Sequence, residues 1–161
     1  MKPILLISLL TVIISFSSRG QGFINLNFEN ANIVFVSGTL ATRNALPSWS
    51  AYSGTNQLST IRYNASFGVP TPAVGLYGSN SLAISGNFSA SIGRNGSISQ
   101  TGLVPNGSES LLFDATSSSY LVSLGGQNLS YAAISTGANS FGQSYSVYAA
   151  DISSFAGKTE T

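Results

Sequence analysis

Apolar and polar residues alternate in short bursts along most of this chain, and each burst ends in Gly, Asn, Pro or Ser. A period of two places every second side chain on one face of a strand. The first burst, Ile24-Asn25-Leu26-Asn27-Phe28-Glu29, predicts a strand with Ile24, Leu26 and Phe28 on one face and Glu29 on the other. Similar patterns predict strands over 33–36, 49–52, 58–63, 74–77, 88–92, 97–101, 111–115, 120–124, 127–134 and 145–149. Between Leu124 and Gln127 stand two glycines, which supply the positive φ angles of a tight hairpin turn. Asp151-Ile152-Ser153-Ser154-Phe155-Ala156-Gly157 predicts a single helical turn, with Asp151 or Ser153 as its N-cap and Gly157 closing it. There is no amphipathic helical window, fixed-period repeat or long linker. Short strands with turn signals about every ten residues predict an all-β fold, a two-sheet antiparallel sandwich forming one domain over 21–161.

The first twenty residues read differently. Lys2 precedes an apolar run over 4–16 broken only by Ser8, Thr11 and Ser15, and Ser17-Ser18-Arg19-Gly20 forms a small, polar exit. This is the layout of a secretory signal peptide, too short for a membrane span, with cleavage favoured after Gly20. The expected destination is outside the cell or at its surface, and no membrane span is expected in the mature chain.

Composition narrows the chemistry. Only 7% of the 161 residues are charged, and there is neither Cys nor His. A basic patch for nucleic acid is excluded, as are disulfides, thiolate or imidazole metal sites and a Ser-His-Asp triad. Loss of the leader removes Lys2 and Arg19, so the net charge falls from +1 to −1: Arg43, Arg62, Arg94 and Lys158 face Glu29, Glu109, Asp114, Asp151 and Glu160. A glycosidase needs two carboxyl groups facing each other across a cleft, and these five acids show no pairing in the sequence. No catalytic residue is assigned; a glycan-active hydrolase is the least favoured reading.

Trp49, the single tryptophan, and Tyr52 are the candidate ligand-binding residues, since aromatic rings offer a sugar area without charge. A lone Trp at a strand start also fills cores, with its N–H bonded inside. Five Asn-x-Ser sequons, at Asn64, Asn87, Asn95, Asn106 and Asn128, arise readily in an Asn- and Ser-rich chain, and turn chemistry explains Asn95-Gly96 and Asn106-Gly107.

Several blocks carry a family resemblance. The leader followed by Asn25-Leu26-Asn27-Phe28-Glu29, Leu46-Pro47-Ser48-Trp49, Ser97-Ile98-Ser99-Gln100-Thr101-Gly102 with Val104-Pro105, and Tyr145 through Gly157, resembles secreted bacterial exosortase-sorted proteins of the PEP-CTERM type, as found in Verrucomicrobia and Planctomycetes. In that family an apolar strand, a Pro-Glu-Pro motif, a membrane-spanning stretch and a basic end follow. This chain ends at Gly157-Lys158-Thr159-Glu160-Thr161. The resemblance therefore implies a domain lacking its last strand and its anchor, and self-association through the sheet edge left open. The opening blocks are also similar to galactose-binding-like jelly-roll modules. That likeness implies extracellular polysaccharide as partner and Glu29 as part of an incomplete, weak structural calcium site; the expected cofactor is none, or that weakly held calcium ion. The expected function is an exported, non-enzymatic β-sandwich of the bacterial envelope or extracellular matrix that binds polysaccharide; the alternative is a purely structural matrix protein without a specific ligand.

Overall fold

A computed structural model describes residues 22–64, 73–78 and 83–161; the leader over 1–20 lies outside the described residues. Strands dominate. The first part of the chain contributes β1 (Phe35–Val36), β2 (Thr39–Ala41), one helical turn α1 (Thr42–Ala45), β3 (Ser50–Ser53), β4 (Asn56–Gln57), β5 (Thr60–Tyr63), β6 (Val74–Tyr77), β7 (Ser89–Ile92) and β8 (Gly96–Ser99). They form a five-stranded sheet in the order β1-β2-β5-β6-β7 and a three-stranded sheet in the order β4-β3-β8.

Alternation builds the core between them. Leu40 of β2 and Ile61 of β5 are direct register partners, and both are fully buried. Val74 and Leu76 add the inward face of β6, and Ala51 of β3, paired with Ile98, closes the core from the second sheet. Leu46 and Ala45 arrive from the helical turn. Each Leu, Ile or Val so enclosed contributes about 1.5–3 kcal/mol of transfer free energy.

Three expectations are corrected in this part. The segment 24–29 is not a strand: Asn25 and Phe28 adopt left-handed φ angles of 53° and 63°, and turns at Leu26-Asn27 and Glu29-Asn30 leave Leu26 54% exposed. The reason is local, because Asn25 accepts the N–H of Phe28 on its carbonyl and that of Asn30 on Oδ1, so turn bonds replace a ladder. Over 33–36, only Phe35–Val36 pairs. Finally, the pairing is not wholly antiparallel, since β5 and β6 run parallel through Arg62↔Gly75 and Tyr63↔Leu76.

The later part comprises β9 (Gly102–Leu103), β10 (Ser110–Ala115), β11 (Ser123–Leu124), β12 (Gln127–Asn128), β13 (Tyr131–Ala138), β14 (Ser144–Asp151), a 3-10 turn (Ser153–Phe155) and β15 (Thr159–Glu160). A three-stranded sheet, β10-β14-β13, carries the longest strands. On one face Phe113, Tyr131 and Tyr148 pack ring to ring with centroids 5.2–5.3 Å apart. The single proton of the Tyr131 hydroxyl is shared between the carbonyls of Ser118, at 2.9 Å, and Tyr120, drawing the segment before β11 over this cluster. A second apolar cluster, Val104, Leu124, Ile152 and Phe155 with Phe23, Leu111 and Leu129, lies beside it.

The glycine hairpin forms as predicted, with Gly125 and Gly126 at φ 57° and 73° between β11 and β12. The helical turn also forms, over Ser153–Phe155, but its N-cap is Ile152 rather than Asp151 or Ser153; Asp151 Oδ1 accepts the Ser153 N–H at 2.8 Å, and Gly157 takes a φ of 78°. The single strand expected over 127–134 is split, because Leu129 is drawn into the second cluster while Tyr131 onward leaves to pair with β14. Over 120–124, only Ser123–Leu124 pairs. After Gly157, β15 pairs with β9, and the Thr161 carbonyl accepts the Gly125 N–H at 2.9 Å.

Candidate functional site

The loop before β3 decides what Trp49 can do. Leu46 is fully buried, Ser48 turns the chain with φ 70°, and the Trp49 N–H bonds back to the Leu46 carbonyl at 3.0 Å. The indole packs on the first core with its ring 5.5 Å from that of Phe28, and Nε1 donates to the Asn25 carbonyl at 3.0 Å. Asn25, itself buried, also donates from Nδ2 to the Pro47 carbonyl at 3.3 Å. Trp49 therefore pins the turn of 25–30 against the loop of 46–49. Asn25 was not singled out from the sequence; the signal available was an Asn in a Gly/Asn-rich start, a residue type that tolerates left-handed backbone.

Tyr52 is not brought to Trp49's side. Ala51 faces the core, and alternation turns Tyr52 to the opposite face of β3, where its register partners are Gln57 and Ser97. The two rings form no common platform.

Glu29 is held by the chain. Its Oε1 accepts the backbone N–H of Asn87 at 2.8 Å and that of Phe88 at 3.1 Å, while Oε2 accepts the Asn87 side-chain amide at 2.9 Å. Gly86, at φ 67°, leaves the space next to Oε1 that a Cβ would fill. Partial burial alone would raise the Glu29 pKa, but the bonds from Asn87 and Phe88 outweigh it and hold the carboxyl below its ordinary value. This carboxylate binds together two loops far apart in sequence, and its lone pairs face N–H donors in the arrangement observed. Among the described residues no group of three acidic side chains is placed to hold a metal ion.

An open hollow of ≈ 340 Å³, lined by Thr116, Thr136, Gly137, Ser144, Tyr145 and Ser146, lies at the end of the β10-β14-β13 sheet. Register places Thr136 opposite Ser146, and Gly137 opposite Tyr145, whose ring fills the space a Cβ at Gly137 would take. The lining offers hydroxyl donors and acceptors with one aromatic ring and no charge, a chemistry suited to a neutral polar chain.

The same sheet carries a broader feature. On its second face Leu112, Val147 and Ala149 line up across β10 and β14, with Ala132 beside them on β13 and Asp114 and Asp151 on the same face. Leu112 is 58% exposed, as is Ile134 at 60%. No ionisable Asp, Glu, Lys or Arg occurs between Asp114 and Asp151.

Compared with known proteins, the chain matches no family model, no curated protein and no solved structure.

Proposed function

We propose that the protein is an exported, non-enzymatic β-sandwich of the bacterial envelope or extracellular matrix, and that it works by surface association through the β10-β14-β13 sheet. The observation that carries this reading is the half-apolar face of that sheet, where the two acids Asp114 and Asp151 flank Leu112, Val147 and Ala149, together with its hydroxyl-lined end. Such a surface associates by apolar contact and neutral hydrogen bonds and is little affected by salt. Two sheets closing on one core support the sandwich reading, and the opening blocks, Asn25 to Glu29 followed by Pro47-Ser48-Trp49, support the jelly-roll kinship. Trp49 and Glu29 serve the reading as structural residues, since the bonds they make lie inside the chain. Neutral extracellular polysaccharide is the partner that the hollow around Tyr145 suits.

The experiment is fractionation of a bacterial host producing the full chain. The protein is expected in the extracellular or envelope fraction, with a mature N-terminus at or close to Gln21 by mass spectrometry. It is expected to stay with insoluble polysaccharide through a high-salt wash. Recovery of the intact Met1 form from the cytosol would end the export reading.

A further inference from the structure

Among the described residues the three-stranded sheet β10-β14-β13 leaves both of its edges unpaired, and the two edges differ. No backbone bond among the described residues reaches the outer side of either β13 or β10. In an antiparallel pair, alternate residues aim N–H and C=O away from the partner strand, so each edge offers a row of donors and acceptors. The β10 edge carries Asp114 and is preceded by Glu109. The β13 edge, Tyr131-Ala132-Ala133-Ile134-Ser135-Thr136-Gly137-Ala138, carries neither charge nor proline, and residues 132–136 are all exposed.

We propose that β13 pairs edge to edge with β13 of a second copy of this chain, joining two three-stranded sheets into one of six. The partner at such an edge must present an extended backbone, and an antiparallel strand related by a two-fold axis meets that need with the same groups on both sides. Self-pairing sets every side chain near the axis beside a copy of its own neighbourhood. It therefore penalises a charged strand and spares a neutral one, which selects β13 over β10. A bulge between Ala133 and Ser135 interrupts the ladder to β14 and places Ile134, 60% exposed, in the middle of this edge. The bulge increases local twist, and a two-fold axis at Ile134 sets that residue against its counterpart, with Ser135 opposite Ala133 of the second copy on either side of the axis. The inference deepens the surface-association reading above by naming the partner of that sheet.

Sedimentation velocity on the full chain, purified after export, tests it. The native protein is expected to show a concentration-dependent monomer–dimer equilibrium. Ser135→Lys sets two cations near the axis and is expected to shift the midpoint at least about tenfold upward, with melting at concentrations below the midpoint unchanged because Ser135 is exposed. Ser110→Lys, on the β10 edge, is expected to leave the equilibrium as it was. Amide exchange on the native protein supplies a measurement independent of any variant: outward N–H groups of 131–138 should slow as concentration rises. A native chain that stays monomeric, or a dimer indifferent to Ser135→Lys and without slowed exchange in β13, overturns the proposal. Either result leaves the export reading standing, since that reading is judged by cell fraction and mature N-terminus.

Discussion

Three N–H donors from residues 87 and 88 converge on the Glu29 carboxylate, and their effect is pH-dependent. The folded protein holds this group below its ordinary value of 4.5, so the folded state favours the ionised form. A lowered folded pKa means the contribution is present above the unfolded value and is lost as pH falls through 4.5 toward the folded one. Because the site faces solvent, the contribution is about 1 kcal/mol. Glu29→Gln should therefore melt at a lower temperature than the native chain at neutral pH. The gap should close as the buffer is acidified below the ordinary carboxylate range, as thermal scans across pH will read. Trp49 obeys similar logic without the proton: its Nε1–H is bonded to the Asn25 carbonyl, so its ring serves packing first.

At the scale of elements, the hairpin β11–β12 and the segment 24–29 make an instructive pair. Both carry left-handed residues, but the hairpin announces them with glycine while the segment hides them in Asn25 and Phe28. Period-two alternation in 24–29 is real in the sequence, yet two positive φ angles break the extended path that would give it meaning. In the hairpin, Gly126 has open space where a Cβ would go, so Gly126→Ala should cost only the backbone penalty, about 1–2 kcal/mol. Gly125 is more constrained. A Cβ there would lie 2.9 Å from Phe155 Cε1 and 2.7 Å from Glu160 Oε2, so Gly125→Ala should cost clearly more and should loosen β15 as well. Urea unfolding of the two variants in parallel checks the order.

The whole molecule is organised around two apolar clusters, and the segment beginning at Gly22 serves both. Phe23 packs in the second cluster and Phe28 against the first. Between them Gln100 imitates a strand with its side-chain amide: Oε1 accepts the Ile24 N–H at 3.0 Å and Nε2 donates to the Ile24 carbonyl at 3.1 Å. A parallel bridge from Gly22 to Leu103 continues the contact. Loss of this clamp in Gln100→Ala should cost about 1–2 kcal/mol and weaken the coupling between the clusters. Fluorescence of the single Trp49 reports the first cluster, and amide exchange in β11 and β15 reports the second. The two probes should share one transition in the native chain and separate in the variant.

What the sequence determined by itself is the set of features written in neighbouring residues. These include the all-β character, the extents of β6 and nearly of β10, the Gly125-Gly126 turn and the Asp151 to Gly157 turn. Each follows from side-chain alternation or from glycine's freedom at positive φ, which operate over a few residues. Tertiary structure alone decided the partners. It set β5 parallel to β6, closed β9 with the last strand, and bound Glu29 to a loop around residue 87. It also turned Tyr52 away from Trp49 and left β13 with a neutral edge that is unpaired among the described residues. Those outcomes depend on which distant backbone groups and apolar faces meet, and in a chain with so few charges and no cysteine no residue type marks its distant partner in advance.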